Sequence, residues 1–329
     1  MRTSLLLSLA IAVFIYFSLH ISLITDNNGA KYYLRHNTSI QVVSRELSQQ
    51  HIINHPWLFL VTAYVYGAPH HLKTGEYFFA KGTHVLKLLK QITTGKGLYY
   101  YSLTIVPGWS FTQVKQALLQ AEPLQHSLQT VPDVEMMQHL GYAKVNPEGQ
   151  FYPETYFFVR DSTDAALLQR AHNLMEYKLN QLWQQRVLTV PYHTPYEALI
   201  AASLVEKEAK IKGEEPKIAG VLQNRLQRKM LLQFDPTIVY GLGDKFDGTI
   251  HKSDLLKDTP YNTYLHRNLP PTPIAMPGLE AIQAVLHPEQ HDYLYFVAKG
   301  DGSHQFSKTL MEHHAAVAEV KKLLCQPRT

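Results

Sequence analysis

The chain has 329 residues, of which 45% are hydrophobic and 18% charged, a composition that supports a sizeable core and excludes wholesale disorder. Its net charge of +4 comes without a dense run of lysine and arginine, which argues against a nucleic-acid partner. The single cysteine, Cys325, cannot form an internal disulfide. The histidine pairs His70-His71 and His313-His314 lack the further ligands of a metal site, so we expect neither a metal nor a cofactor.

Residues 4–24 predict a membrane-spanning helix. They form a run of about 21 residues without a formal charge, long enough to cross a hydrocarbon core of about 30 Å. Arg2 precedes the run, which favours an N-terminus in the cytoplasm and a chain that is exported after Asp26. The alternative is a cleaved signal peptide, but the apolar run is longer than usual and no good cleavage site follows it. We therefore expect an uncleaved anchor over residues 1–25.

The rest of the sequence predicts an α+β protein in three parts. Residues 26–39 are polar and predict a short tether. Residues 40–100 predict a small α+β module of a helix, the strand "TGEYFFAKG" and a second helix, although "PWLFLVTAYVYG" within it fits a helix or a strand equally well. Residues 101–329 predict a larger mixed α+β domain, with a long helix over 166–186 and a closing strand "YLYFVAKG" followed by a helix.

From Leu231 onward, proline and glycine interrupt the sequence repeatedly, as in "QFDPTIVYGLG" and "YNTYLHRNLPPTPIAMPG". Tyrosine, isoleucine and leucine alternate with these breaks. This mixture favours ordered loops of the kind that line a site over a disordered linker.

The segment "LIAASLVEKEAK", residues 199–210, is the middle of an apolar helix that runs into two glutamates. Residues two apart on a helix point about 200° apart, so Glu206 and Glu208 cannot share a face. One interpretation is that the helix reaches the surface there and that Lys210 and Lys212 pair with the two carboxylates. The other is that one carboxyl lies at the floor of a groove, where its small apolar neighbours raise its pKa so that it acts as a general acid.

Other candidate groups lie in the interrupted segments and just upstream of them. Asp235 precedes a proline and is typical of a turn, but it is also a carboxylate available for chemistry. Glu154 in "YPETY" is a second carboxylate, flanked by aromatic residues. Side chains that suit hydrogen bonding to sugars, or stacking on them, are Gln233, Tyr240, Tyr261 and Asn262.

Six motifs in order resemble the endolytic murein transglycosylase family, also called the YceG-like family. They are "ASLVEKE" (202–208), "NRL" (224–226), "LQFDPTIVYGLG" (232–243), "YNTY" (261–264), "LPPTPIAMPG" (269–278) and "YLYFVAKGDGSHQF" (293–306). The resemblance extends upstream through "EGQFYPETY" and "LKTGEYFFAKG" and covers nearly everything after the tether.

The resemblance implies a lytic transglycosylase, anchored in the bacterial inner membrane with its catalytic part on the periplasmic side, that cuts peptidoglycan glycan strands internally. It implies that Glu208 is the catalytic acid, and we therefore expect Glu206 to be a supporting or ion-pairing residue. From the residues themselves we expect substrate contacts by Gln233, Asp235, Tyr240, Tyr261, Asn262 and Glu154. The module over 40–100 is similar to a LysM-like glycan-binding module, and peptidoglycan synthases are candidate partners.

The sequence departs from the family pattern in the proline-rich loop. Asn268 and Thr272 occupy positions where the family usually has glycine, and Met276 occupies one where asparagine is common. Asparagine tolerates a left-handed backbone, so we expect Asn268 to preserve the turn, whereas Thr272 predicts a different one.

Two other functions remain open from the residues. A two-carboxylate muramidase would use Glu208 together with Asp235 or Glu154 to hydrolyse the same bond. A non-enzymatic scaffold would bind wall glycan and the proteins that synthesise it.

Overall fold

The computed structural model describes Tyr16 and residues 29–324, and within them the fold is mixed α+β. The predicted anchor over residues 4–24 lies outside the described residues apart from Tyr16. Within the part of the chain that is described, no helix is both long and apolar enough to span a membrane. The described chain divides into two compact units, the first comprising residues 29–102, 123–125 and 157–162 and the second comprising the rest.

The first unit contains two strands and three helices. In chain order they are β1 (Ala30–Leu34), α1 (Ile40–Gln49), α2 (Pro56–Tyr66), β2 (Gly75–Phe79) and α3 (Val85–Thr94). β1 and β2 pair antiparallel, with Tyr32 opposite Tyr77. The ambiguous "PWLFLVTAYVYG" segment is helical because Pro56 starts the helix and Gly67, in a left-handed conformation, ends it.

The tether prediction is wrong over Ala30–Leu34, which form β1. The alternation of this strand buries Tyr32 and Leu34, and both join the core of the first unit. Its partner strand, β2, is about 45 residues further along the sequence. Because strand formation here depends on that distant partner, the local sequence around residues 30–34 did not predict it.

The second unit is built largely from helices. These are α4 (Phe111–Gln120), α5 (Asp133–His139), α6 (Asp164–Gln184), α7 (Pro195–Glu208), α8 (Glu215–Gln227), α9 (Asp235–Leu242), α10 (Leu279–Leu286) and α11 (Leu310–Leu324). The described chain also contains two further small sheets, β3 (Tyr101–Thr104) with β4 (Thr155–Phe158) and β5 (Tyr295–Ala298) with β6 (His304–Ser307). Short 3-10 helices lie at Ala68–His70, Gly243–Lys245 and Asp254–Leu256.

α7 is the central helix of the second unit. Thr194 accepts a hydrogen bond from the Glu197 amide at 3.1 Å and caps its start, with Pro195 in the first turn. Every residue from Ala198 to Val205 is buried, against α6, α8, α9 and α10. A helix that is apolar all round must have neighbours on every side. Both end turns of the helix are less buried, and the last one carries the two glutamates.

The segment predicted as interrupted loops contains an additional helix. Asp235–Leu242 form α9, whose first turn holds Pro236. Proline is tolerated there because the first helical amides have no partner within the helix. The Pro-rich stretch over 269–278 is irregular but ordered against the core, with Ile274, Ala275 and Met276 all buried.

Candidate active site

The last turn of α7 carries Glu206 and Glu208 into different surroundings. Glu206 lies beyond Ser203 on the side of the helix that faces the Pro-rich loop. The Ser203 hydroxyl accepts a hydrogen bond from the Ile274 amide at 3.0 Å. The Glu206 carboxylate accepts one from the Gly278 amide at 2.9 Å, at the start of α10. Glu206 therefore joins the end of α7 to the start of α10.

Glu208 instead opens into a pocket of about 620 Å³. The pocket is formed by the ends of α7 and α8, the start of α9, strand β5 and helix α11. Its side chains include Glu208, Arg225, Gln233, Asp235, Tyr264, Tyr295, Phe296, His313 and His314. One face of the Glu208 side chain is open to this space, while protein atoms surround the rest of it.

Burial raises the pKa of Glu208 to about 7. The neighbouring Asp235 carboxylate raises this pKa further, whereas Lys210 opposes the shift. No described side chain donates a hydrogen bond to the Glu208 carboxyl, so nothing of that kind stabilises its ionised form. This carboxyl can therefore carry a proton at neutral pH and present it to a molecule in the pocket.

The lysine pairs that a surface position predicts are not formed. Among the described ion pairs, none joins Glu206 or Glu208 to Lys210 or Lys212. Burial also raises the pKa of Glu206, although the hydrogen bond from Gly278 opposes that shift. The interpretation of this helix end as an ordinary solvated surface is therefore wrong.

Asp235 and Gln233 line the Glu208 pocket from either side of Phe234. The Tyr264 hydroxyl donates to the Asp235 carboxylate, which lies in the first turn of α9. Gln233 has a φ of 54°, a left-handed conformation that is uncommon outside glycine. The backbone N–H of Gln233 donates a hydrogen bond to the Thr263 carbonyl at 3.1 Å, and this bond holds the conformation. Strained backbone of this kind is concentrated at functional sites.

Arg225 is a pocket residue that sequence reasoning missed. Its side chain is buried, and its guanidinium donates to the carbonyls of Leu232 and Leu294, both at 2.6 Å. It also donates to the Gln233 side chain at 3.3 Å. Arg225 thus fixes the segment that carries Gln233 and Asp235. The "NRL" motif was the signal that could have identified it, but nothing local distinguished this arginine from an exposed one on an amphipathic helix.

Tyr240 and Tyr261 line a different groove, of about 610 Å³, on the other side of the same helix ends. Their rings meet edge to face, with centroids 4.7 Å apart. The Tyr261 hydroxyl bonds to the Thr272 hydroxyl at 2.9 Å, so one of the two departures from glycine in the Pro-rich loop contacts a groove residue. The structure therefore does not bring these two tyrosines to the Glu208 pocket.

This second groove also contains Glu148, a buried carboxyl that sequence reasoning passed over. It accepts hydrogen bonds from the Phe111 amide at 3.0 Å and the Tyr240 hydroxyl at 3.1 Å. Burial raises the pKa of Glu148 to about 7, and those hydrogen bonds oppose the shift. Because Phe111 is the first residue of α4, Glu148 holds the start of that helix.

Asn262 and Glu154 do not line the Glu208 pocket. Asn262 is almost fully buried, and its side-chain amide donates to the carbonyls of Leu255 and Lys257 at 3.1 and 2.7 Å. It therefore shapes the loop before Tyr264. Glu154 is exposed and accepts a hydrogen bond from the Thr155 amide at 2.9 Å.

Two of the unusual loop residues have clear structural roles. Asn268 has a φ of 69°, which confirms the expectation that asparagine replaces glycine in a left-handed turn. Met276 is buried, and its backbone forms hydrogen bonds with the backbone of Gly108 and Trp109 at 2.8 and 2.7 Å.

Across the described residues, no group of three or more histidine, cysteine, aspartate or glutamate side chains is placed to hold a metal ion.

The fold and the site together define a mixed α+β protein in which a proton-holding carboxyl opens into a pocket beside a second groove. Comparison with known proteins identifies the family, because the family model described as "YceG-like family" matches residues 32–319. The chain belongs to the YceG-like family.

Named relatives agree with this assignment. A Bacillus subtilis protein named endolytic murein transglycosylase is 33% identical over 267 residues, covering 74% of this chain and 72% of that one. A Streptococcus pneumoniae protein of the same name is 27% identical over 332 residues, covering 89% of this chain and 59% of that one. The crystal structure of a YceG-like protein from Listeria monocytogenes matches with a TM-score of 0.56 at 27% identity, covering 88% of this chain and 99% of that chain.

Proposed function

We propose that this protein is an endolytic murein lytic transglycosylase. It would cut the MurNAc-GlcNAc β-1,4 bond inside nascent glycan strands, leave 1,6-anhydro-MurNAc ends and so terminate strand elongation. The names of its relatives support the activity. The observation that carries the mechanism is the Glu208 carboxyl, whose pKa near 7 lets it hold a proton in an open pocket at neutral pH.

Glu208 would act first as an acid and then as a base. It protonates the glycosidic oxygen, and the C1–O bond breaks as the 2-acetamido oxygen of the same sugar stabilises C1. The resulting carboxylate then removes the proton of the C6 hydroxyl, whose oxygen bonds to C1 and closes the anhydro ring. The proton that Glu208 gave away is thereby recovered, and no water is consumed.

The neighbouring residues would position the substrate and tune the acid. Burial raises the pKa of Glu208, the Asp235 carboxylate raises it further, and Tyr264 would hold Asp235 in place. Gln233 has an exposed side chain in the pocket, on a backbone that Arg225 and Thr263 fix. Glu206 would keep the end of α7 against α10, which limits the movement of Glu208.

The second groove would bind the sugars on one flank of the cut. An endolytic enzyme holds a strand that continues in both directions, and the two grooves flank the same ends of α7 and α9. The edge-to-face pair Tyr240 and Tyr261 offers an aromatic surface for a sugar ring. Asn262 and Glu154 would contribute to the site only through the loops that they shape.

Residues 1–25 would anchor the protein in the bacterial inner membrane, with the N-terminus in the cytoplasm and both compact units in the periplasm. The charge-free run of residues 4–24 supports this arrangement.

The first unit would serve as a LysM-like glycan-binding module. Peptidoglycan synthases that make the strands at the membrane surface would be its partners.

One rival activity is favoured by a specific observation. Asp235 lines the same pocket as Glu208, so a two-carboxylate muramidase that hydrolyses the bond could be built from this pair. Glu154 is not a candidate for the second carboxylate, because it does not line the Glu208 pocket.

A matched pair of substitutions tests the site. Glu208→Gln removes the exchangeable proton and is expected to lower the cutting rate on purified glycan strands by at least about 100-fold. Glu206→Gln keeps an oxygen that accepts from Gly278 and is expected to retain most of the activity. An active Glu208→Gln protein would overturn the assignment, and a wild type that binds strands without cutting them would establish the scaffold instead.

A further inference from the structure

The first unit carries an apolar surface that its own core does not use. One side of α2 is buried through Leu58, Phe59, Thr62 and Ala63. The other side is exposed, and its residues Trp57, Val61, Tyr64 and Val65 are 63%, 45%, 54% and 75% accessible. We call these four residues the α2 face. They recur at positions i, i+4, i+7 and i+8, so they form one continuous stripe along the helix.

The α2 face lacks the features of an ordinary solvated helix. Pro56–Tyr66 contain no charged residue, so no charge separates the exposed side chains. A contiguous apolar surface of this kind on a folded unit marks a contact with a partner or a membrane.

The composition of the α2 face favours lipid over sugar. Its two aliphatic side chains, Val61 and Val65, interrupt any flat aromatic platform on which a sugar ring could stack. The Tyr64 hydroxyl is already engaged by the Gln41 side chain, so this ring offers a sugar little hydrogen bonding. Tryptophan and tyrosine beside aliphatic residues are typical of surfaces that lie at the boundary between headgroups and acyl chains.

The sequence also places a bilayer close to this unit. The charge-free run ends at residue 24, and β1 begins at Ala30. The residues between them, 25–29, can extend over at most about 18 Å. If residues 4–24 span the bilayer as proposed above, the first unit is therefore held within about that distance of the lipid surface.

We infer that the α2 face rests in the interfacial region of the phospholipid bilayer. This inference depends on the membrane anchor in the proposed function. The contact would hold the first unit in one orientation against the membrane, with Trp57 and Val65 among the headgroups.

The test uses the full-length chain reconstituted in vesicles of phosphatidylcholine and phosphatidylglycerol. Trp109→Phe and Trp183→Phe leave Trp57 as the only tryptophan. Acyl chains brominated near the headgroup are expected to quench at least about half of its fluorescence relative to unlabelled lipid. The matched control adds Trp57→Phe and Lys90→Trp, which moves the reporter to an exposed position on α3 and is expected to show little quenching.

The outcomes separate the two proposals. If the protein floats with the vesicles but Trp57 is not quenched, or is quenched no more than the Lys90→Trp reporter, the inference about the α2 face is wrong. If the protein does not float with the vesicles, the membrane anchor itself is wrong. If the fluorescence of Trp57 changes with the density of protein in the vesicles and not with brominated lipid, a second copy of the chain covers the α2 face. That result would also overturn the inference.

A second measurement avoids replacing the buried Trp183. Val65→Cys in a Cys325→Ser background carries a nitroxide label on the α2 face. In the reconstituted protein, this label is expected to be several-fold more accessible to dissolved oxygen than to a polar nickel complex. Equal accessibility to both reagents would contradict the inference.

Discussion

Glu206 and Glu208 differ in their surroundings because the helix directs them to different neighbours. Burial raises the pKa of Glu206, but its carboxylate accepts a hydrogen bond from the Gly278 amide, which opposes that shift. Glu208 has no such donor among the described residues and faces a pocket that it shares with Asp235. Burial without compensation favours the neutral acid at Glu208, and we therefore propose that Glu208 is the proton donor and that Glu206 has a structural role.

Asp235→Asn is expected to shift the pH dependence of activity. In the wild type, kcat/KM should fall as pH rises through about 7, because the free enzyme must carry the proton on Glu208. Removing the Asp235 charge lowers the pKa of Glu208, while burial, the larger cause, remains. The decrease of kcat/KM with rising pH should therefore begin at a lower pH in the variant, by less than about one pH unit. Complete loss of activity at every pH would support the two-carboxylate muramidase instead.

Glu208→Gln is expected to stabilise the protein at alkaline pH. The pKa of Glu208 is raised above its ordinary value of 4.5, so the folded state binds this proton more tightly than the unfolded chain does. That stabilisation is complete below about 4.5 and is lost as pH rises through about 7. At pH 8 the variant should gain about 1–2 kcal/mol in the free energy of unfolding, after allowing for the open face of the pocket. Thermal melts at pH 8 and pH 4 measure it, and an equal gain at both would contradict it.

At the scale of elements, the site depends on how α8 holds the start of α9. Arg225 projects from α8 and binds carbonyls on both sides of the pocket, at Leu232 and Leu294. Leu232 lies just before Asp235 at the start of α9, and Leu294 lies just before the start of β5. The buried guanidinium thus links three elements whose ends form the walls around Glu208.

Arg225→Met should be destabilising by about 2–4 kcal/mol, because it leaves the carbonyls of Leu232 and Leu294 without their donors. The matched control is Arg228→Met, an exposed arginine at the end of the same helix, which should change stability by less than about 0.5 kcal/mol. Urea unfolding measures both. Equal effects at the two positions would show that the buried hydrogen bonds of Arg225 contribute nothing to stability.

Local sequence patterns predicted α7 well and α9 poorly. The apolar run before Glu206 is long enough to require a buried helix, and helix geometry alone separates the two glutamates. The sequence did not predict α9 because Pro236 and Gly241 are typical of loops. Proline is compatible with a helix only when it lies in the first turn, as Pro236 does. The burial of Arg225 and the pairing of β1 depend on partners distant in sequence, which no local pattern reveals.

At the scale of the whole molecule, the two candidate functional surfaces lie in different compact units. The second unit contains every residue of the Glu208 pocket, and the first contains the α2 face. Membership of the YceG-like family spans both units, since the match covers residues 32–319. We therefore propose that the second unit cuts the glycan strand and that the first unit contacts the membrane surface.

The most direct test of the central claim is to digest purified peptidoglycan in isotopically labelled water and analyse the new strand ends by mass spectrometry. A one-carboxyl transglycosylase closes the anhydro ring with the C6 hydroxyl of the sugar. We therefore expect 1,6-anhydro-MurNAc ends, lighter than hydrolysed ends by one water and free of label, and we expect them to disappear with Glu208→Gln. New reducing ends in place of anhydro ends, with more label than an undigested control acquires by exchange at its existing reducing ends, would instead show that water attacks C1, and Glu208 would not be the sole acting carboxyl.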